Sequence, residues 1–302
     1  MKFVLSTDQR DFASSLDSLL AASDTVAVAR AWAEGDHAPG LALWARLAEQ
    51  GVTALADPES GATPVEIVLA FDRLGNHAVP GPWVESAVYL PIALGADLSE
   101  TIATVAVPPF VPYALDADVA EQVYVATGAG LALAEPGEVV GSVDRTRRLF
   151  PVTAIGPEQS ADLEAAGRMA VLATAAQTLG CGERILADSV TYVKQRKQFG
   201  REIGSYQAIK HALADVRIAL DFARPLLLGA ALDPNRRDVS AAKVACAEAA
   251  YLASRTGLQV HGAIGYTQEF DLSLWLTKVR ALQSAWGTPA FHRACVLEAL
   301  VG

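Results

Sequence analysis

Four cationic side chains stand close together in the stretch VKQRKQFGREIG: Lys194, Arg196, Lys197 and Arg201. Guanidinium groups form paired hydrogen bonds with phosphate oxygens, so such a cluster can hold a pyrophosphate. The same residues are also typical of a helix C-terminus, where the helix dipole favours cations and Gly200 would end the helix. The spacing alone leaves both an anion site and a helix terminus open.

A second stretch, LQVHGAIGYTQEF, follows a helical pattern and contains Gly262 and Gly265. Glycines let backbone amides approach a ligand closely, although they also simply end helices. The stretch lacks the strand, turn and helix of a dinucleotide fingerprint and is therefore not a Rossmann site. His261, which stands alone, is more typical of a hydrogen-bonded structural residue than of a base.

The composition limits what these residues can serve. The net charge of −10 and the pI near 5.0 argue against a nucleic-acid surface, so any anion site must be local. The three cysteines are an odd number in Ala-rich sequence, which predicts reduced, buried thiols. Histidines and cysteines lack metal-ligand spacing, so no metal site is expected.

The hydropathy pattern predicts a cytoplasmic protein without a membrane span. No apolar run approaches the roughly 18 residues that a spanning helix needs. The start MKFVLSTDQRDF is too short an apolar run for a signal peptide.

Three regions can be distinguished along the 302 residues. Residues 1–100 alternate helical patterns and turns and are predicted to form an N-terminal helical domain. Ser6 or Thr7 caps its first helix, and Thr63, Pro64 and Glu66 start a later one that Gly75 is expected to end.

Residues 101–157 change in texture: TIATVAV, QVYVATG, GLALAEP and RLFPVTAI are short, β-prone and divided by Pro and Gly. They predict a reduced middle β domain. Residues 158–302 predict a C-terminal four-helix bundle, beginning with a long helix from Ser160 or Asp162 to about Gln198. The fold class expected is mainly α.

The order of motifs resembles the acyl-CoA dehydrogenase family. The C-terminal half has, in this order, a long helix, R-x-x-F-G, S-x-Q-A-I, Q-V-H-G-A-I-G-Y-T and an amphipathic helix. The family's first domain is resembled by the N-terminal segments TDQRDF, LWARLAEQG and LGNHAVPGPWVESA. The resemblance covers nearly the whole chain and is strongest over residues 180–285.

The resemblance implies a set of residues that bind FAD. In the family, the Arg and Phe of R-x-x-F-G contact the ADP half of an FAD that the neighbouring subunit mainly holds. The cofactor-binding residues expected here are Arg196, Phe199, Gln207, Gln259, Gly262, Ala263 and Thr288. Ala263 replaces the second glycine of the usual pair.

The parts that carry the family's chemistry are missing. The base of an E-G-T-S-Q-like stretch matches Trp286, and the base position of a second subfamily matches Ala170, so no catalytic residue is identified. The T-E-P-x-A-G-S-D-like loop and the W-I-T-N-like strand, which hold the flavin ring in the family, do not occur between Thr101 and Pro157.

The resemblance therefore implies the smaller subunit of a FAD-dependent acyl-CoA dehydrogenase, inactive alone and sharing FAD across a subunit interface with a larger chain of the family, as an α2β2 assembly. Its substrate would be a bulky acyl-CoA, such as a steroid-derived thioester.

Two alternatives stay open. One is a homodimeric enzyme with an unrecognised base, for which Glu269 and Asp271 are the nearest acidic residues unless they cap a helix. The other is a non-catalytic scaffold subunit.

Overall fold

The computed structural model describes residues 3–128 and 130–302, apart from the side chain of residue 266. Helices of the N-terminal region begin at the predicted caps: Ser6 forms a capping box with Gln9, and Thr63 forms one with Glu66. The helices are α1 (Thr7–Ala21), α2 (Thr25–Ala33), α3 (Ala38–Glu49), α4 (Pro64–Asn76) and, after a π-helical turn at Glu85–Tyr89, the short α5 (Leu90–Leu94).

Gly75 does not end α4, contrary to the sequence prediction. The helix continues through it to Asn76, and Gly75 lies buried against the next long helix. A Cβ atom at this position would stand 2.0 Å from the carbonyl oxygen of Gln177. The glycine is therefore required for close helix packing and not for a turn.

The middle region is a small sheet, as predicted. Its strands are β1 (Ala103–Ala106), β2 (Ala114–Leu115), β3 (Gln122–Ala126), β4 (Gly130–Pro136), β5 (Leu149–Phe150), β6 (Val152–Ala154) and β7 (Gln159–Ser160). The order in the main sheet is β1-β3-β4-β6, with β7 also paired to β4. The β1–β3 pair is parallel, the other pairs of this sheet are antiparallel, and β2 and β5 form a separate antiparallel pair.

Two buried polar contacts tie this sheet region to the helices. The Trp32 indole of α2 donates to a carboxylate oxygen of Asp116 at 3.3 Å. Lys278 forms an ion pair with Asp144 at 3.1 Å, and both side chains are almost fully buried. A buried pair of this kind fixes the position of the two elements that carry it.

The C-terminal region contains five helices, one more than the predicted four. They are α6 (Leu163–Gln195), α7 (Gln207–Leu232), α8 (Arg236–His261), α9 (Leu272–Leu282) and α10 (Pro289–Val301). Helix α6 begins at the predicted Asp162 cap but ends before Gln198, because residues 197–198 start a hairpin, β8 (Lys197–Gln198) with β9 (Arg201–Glu202). The additional helix α10 starts at a Thr288 cap followed by Pro289.

Helices α6 and α8 run parallel and in close contact. Gly182 packs against Ala250, Gly257 against Ile185, and the Tyr192 ring against His261, so the offset between the two helices stays nearly constant. Helix α7 connects α6 to α8 along the chain and runs antiparallel to both. As a result the C-terminus of α6, the N-terminus of α7 and the C-terminus of α8 meet at one end of the bundle.

No helix among the described residues is both long and apolar enough to cross a membrane. Cys181, Cys246 and Cys295 are buried and unpaired. In the described part of the chain, no group of His, Cys, Asp and Glu side chains is placed to hold a metal ion.

Candidate functional site

At the end of the bundle where α6, α7 and α8 meet, aromatic rings of α6 and α8 pack against each other. The Tyr192 and His261 rings stack with centroids 4.2 Å apart. His261 donates through Nδ1 to the carbonyl oxygen of Gly257 at 2.8 Å, and burial lowers its pKa. His261 is thus a neutral, hydrogen-bonded residue that joins two helix ends, which is the structural role the sequence favoured.

The turn after α6 presents an aromatic ring to solvent. Arg196 is the C-cap residue of α6, and its carbonyl oxygen accepts from the Ile203 amide at 2.9 Å. Phe199, at the tip of the hairpin, is 91% exposed and has a φ of 52°. A left-handed conformation costs a non-glycine residue about 1–2 kcal/mol. Gly200 lies in the same hairpin tip and is not the residue that ends α6, which corrects that reading of the sequence.

The cations around this turn form no ion pair with a described carboxylate. Lys194, Arg196 and Lys197 form no ion pair with any described residue, and Arg201 stacks on the Tyr206 ring at 3.8 Å. Guanidinium groups in the middle of the bundle behave differently: those of Arg217 and Arg224, for example, bond to Glu183. The charge at the bundle end is consequently available to an external anion.

The other residues predicted on this surface lie at the same end. Gln207 is the first residue of α7 and Gln259 is near the end of α8; both are exposed. Gly262 has a φ of 63°, and among the described residues no atom stands within 4 Å of the position a Cβ would take, so a ligand can approach its backbone. Ala263 follows, also exposed.

Thr288 is not brought to this surface. Its hydroxyl accepts from the Phe291 amide at 3.2 Å, and it lines a groove together with Arg280 and Phe291. The separation along α6 from Val171 to Arg196 corresponds to about 37 Å at 1.5 Å per residue. Thr288 therefore lies in a different part of the molecule from the cation cluster, and its expected contact with the cofactor stays a prediction.

The two positions that match the family's base are both buried. Ala170 lies inside α6, and Trp286 is 4% exposed with a φ of 59°. The Trp286 ring packs 4.9 Å from the Tyr89 ring, and its carbonyl oxygen accepts from His292 at 2.9 Å. An indole and a methyl group cannot abstract a proton, so neither position supplies a base.

Glu85 is a buried carboxyl group that the sequence reasoning missed. It is 1% exposed, and burial raises its pKa, an effect that Arg147 and the Trp286 indole oppose. The Nε1 atom of Trp286 makes no hydrogen bond of ordinary geometry with a described residue. It is nevertheless close enough to Glu85 to favour the charged form of that carboxyl group. An acidic residue inside the apolar run PWVESAVYL was the available signal.

A cavity of about 380 Å³ adjoins Trp286 and Tyr89 at the end of the bundle opposite the cations. Glu85 is not among its lining residues. Glu269 and Asp271 do not line the cavity either, and both are exposed. Asp271 pairs with Arg30 at 2.8 Å, and its side chain does not cap α9.

The fold and the site together define a class: a mainly helical protein with a small central sheet, a C-terminal helix bundle and a cationic surface at the bundle end. The sequence model of the acyl-CoA dehydrogenase C-terminal domain matches residues 166–301. The acyl-CoA dehydrogenase IpdE2 of Mycobacterium tuberculosis is 31% identical over 280 residues, which cover 86% of this chain and 87% of that protein.

Solved structures share the fold over almost the whole chain. The ChsE4–ChsE5 complex of Mycobacterium tuberculosis contains a chain with a TM-score of 0.85 at 22% identity, with 99% of each chain covered. The Tcur3481–Tcur3483 steroid acyl-CoA dehydrogenase G363A variant gives a TM-score of 0.81 at 20% identity over 97% of each chain.

The chain belongs to the acyl-CoA dehydrogenase family, and this membership supports an oxidoreductase acting on a CH–CH bond. The predicted family and the predicted mainly helical fold class are confirmed.

Proposed function

We propose that this chain is one subunit of a heteromeric, FAD-dependent acyl-CoA dehydrogenase. It contributes the surface for the ADP half of FAD, while a larger partner chain of the same family supplies the flavin pocket and the base. The assembly would be α2β2, and this chain alone would be inactive.

The observation that carries the proposal is the unpaired cationic surface with the exposed Phe199. Arg196, Lys194 and Lys197 pair with no carboxylate of the described residues, and Phe199 holds an apolar ring in water at a strained backbone position. A pyrophosphate would pair with the cations, and an adenine would cover the ring. These residue types fit the ADP half of FAD.

The chemistry of the family needs a carboxylate that removes the α-proton of the thioester and a flavin that accepts the β-hydride. Trp286 and Ala170 leave this chain without that carboxylate at the positions where the family has it. A partner with its own base and flavin pocket would complete the reaction. The residues of this chain would then bind the cofactor and orient it without moving a proton.

The likeness to assemblies of two different chains supports a heteromer. ChsE4–ChsE5 is described as a complex, and Tcur3481–Tcur3483 as a steroid acyl-CoA dehydrogenase. A bulky acyl-CoA, such as a steroid-derived thioester, is therefore the substrate class that we propose for the complex.

The test is FAD retention by the co-expressed complex with Arg196→Ala. Removing a guanidinium that bonds to a phosphate weakens binding by about 1.5–3 kcal/mol, or about one to two decades in Kd. Arg237→Ala is the matched control, because Arg237 is exposed at the opposite end of α8 and pairs with its neighbour Asp238. Phe199→Ala should also weaken FAD binding without changing stability. Equal FAD retention in the Arg196 and Arg237 variants would contradict the proposal.

A further inference from the structure

A buried carboxyl group joins the N-terminal helices to the sheet region. Asp116 follows β2 with a left-handed φ of 51°, and the residue is fully buried. Its Oδ1 atom accepts from the Trp32 indole of α2 at 3.3 Å and from the Arg148 amide, next to β5, at 3.1 Å. One oxygen atom therefore connects a helix with two segments of the sheet region.

The second carboxyl oxygen of Asp116, Oδ2, has no hydrogen-bond partner among the described residues. Burial raises the pKa of Asp116 to about 7, although the hydrogen bonds from Arg148 and Trp32 favour the charged form. Arg147 adds a favourable charge, and Asp118 adds an unfavourable one. Asp116 therefore gains or loses its proton within the neutral pH range.

The guanidinium group of Arg148 is placed to pair with either of two carboxylates. Its Nη2 atom pairs with Asp118 at 2.6 Å, and its buried Nε atom donates to no described residue. The backbone of Arg148 is fixed beside Asp116, because the Asp116 amide donates to the Arg148 carbonyl oxygen at 2.7 Å. A rotation of the Arg148 side chain alone would therefore exchange Asp118 for Asp116.

The Arg148 side chain also borders the turn between α2 and α3. Its Nη1 atom lies 3.8 Å from the position that a Cβ atom would take at Gly35. In the same turn, His37 Nε2 lies 3.9 Å from Asp118, and the His37 ring packs against Trp32 with centroids 4.7 Å apart. A movement of Arg148 away from Asp118 would therefore remove a contact of the α2–α3 turn.

The strands that pack against β2 add little charge to these surroundings. Strands β1 and β5 carry no titratable side chain, and β3 carries Tyr124, whose pKa is raised by burial. The titratable or permanently charged groups that face Asp116 from the turn and the neighbouring segments are His37, Asp118, Arg147 and Arg148.

We propose that Asp116 and Arg148 form a pH-sensitive switch at the junction of α2 and the sheet region. With Asp116 protonated, Arg148 pairs with Asp118 and lies against the α2–α3 turn. When Asp116 loses its proton to solvent, the buried carboxylate pairs with Arg148 in place of Asp118, and the turn loses its contact with the guanidinium group. The switch includes neither the cationic bundle end nor a partner chain, so it is independent of the proposed function.

NMR of the indole N–H groups of the full chain tests the proposal, and Trp32→Phe identifies the Trp32 resonance. The Trp32 proton should move downfield as the pH rises, with a midpoint at about 7, because a hydrogen bond to a carboxylate is stronger than one to a neutral acid. Asp116→Asn should abolish this titration. His37→Gln should preserve it, although it removes the titratable ring that packs against Trp32.

Asp118→Asn tests the exchange itself and does not depend on the folding of Asp116→Asn. Without the Asp118 carboxylate, Arg148 is free to pair with Asp116, so the midpoint should fall by about one pH unit. Asp188→Asn is the matched control, because it removes the carboxylate partner of Arg184 on α6 and should leave the midpoint unchanged.

A Trp32 resonance that does not move between about pH 5.5 and 8.5, a range that brackets the pKa by more than one unit on each side, overturns the proposal. An unchanged midpoint in Asp118→Asn overturns it as well, and so does a titration that persists in a folded Asp116→Asn variant.

Discussion

The crossing of α4 and α6 depends on glycines at the contact, and Gly180→Ala is the direct perturbation. At this position an added Cβ would stand 1.9 Å from the carbonyl oxygen of Asp72 and 2.9 Å from the amide nitrogen of Asn76. Both contacts are with backbone, which cannot move aside as a flexible side chain does. The helices must separate, and the hydrogen bond from the Trp275 indole to the carbonyl oxygen of Asn76 would be strained with them.

The expected loss follows from two opposed effects. Alanine is favoured over glycine inside a helix by about 1 kcal/mol. Overpacking a tight contact costs about 1–3 kcal/mol and occasionally more, and a clash with backbone belongs at the upper end. We therefore expect Gly180→Ala to lower the free energy of unfolding by about 2 kcal/mol, measured from urea unfolding followed by circular dichroism.

Gly167→Ala is the matched control, since it makes the same substitution on the same helix. No atom lies within 4 Å of its Cβ position, so helix propensity alone should act and stability should rise slightly. If Gly180→Ala proves as stable as Gly167→Ala, helices α4 and α6 do not cross as closely as the contacts of Gly180 indicate.

Two further predictions concern buried charges. Lys278→Met leaves Asp144 buried without its cation and should lower the free energy of unfolding by about 3–5 kcal/mol. The double variant that also carries Asp144→Asn should recover most of that loss in the same urea assay. A Lys278→Met variant as stable as the original chain would refute this prediction. The pKa of His292 is lowered to about 4 from 6.5, so the unfolded chain takes up this proton first and the free energy of unfolding should fall by about 3 kcal/mol as the pH drops from 6.5 to 4. Burial raises the pKa of Asp116 to about 7, which acts in the opposite direction, so the His292 effect is read as the difference between the original chain and His292→Gln across that range. Parallel pH curves for these two proteins would rule the His292 assignment out.

Local signals predicted much of the fold. The capping boxes at Ser6 and Thr63, the Asp162 cap of the long helix and the β-prone segments all depend on neighbouring residues, and each forms where the sequence indicated. Gly75 was misread because a glycine near the end of a helical pattern looks the same whether it ends the helix or packs against another one. Helix α10 was missed although Thr288 and Pro289 form its cap and first turn.

The sequence predicted the cationic cluster but not the cavity beside Trp286. The cationic cluster was visible in the sequence because its members are neighbours along the chain. The cavity was not, because Tyr89, Val171, Ser240 and Trp286 come from four distant segments and meet only after folding. The separation of Thr288 from Arg196 likewise depends on helix lengths and packing, which no motif contains.

We propose above all that this chain completes the FAD site of a different subunit. The most direct test is flavin absorbance per chain, measured for this protein purified alone and after co-expression with an acyl-CoA dehydrogenase chain that co-purifies with it. We predict a colourless protein alone and about one FAD per pair of chains in the complex. Stoichiometric FAD on the protein purified alone would contradict the claim and favour a homodimer with a base not yet recognised.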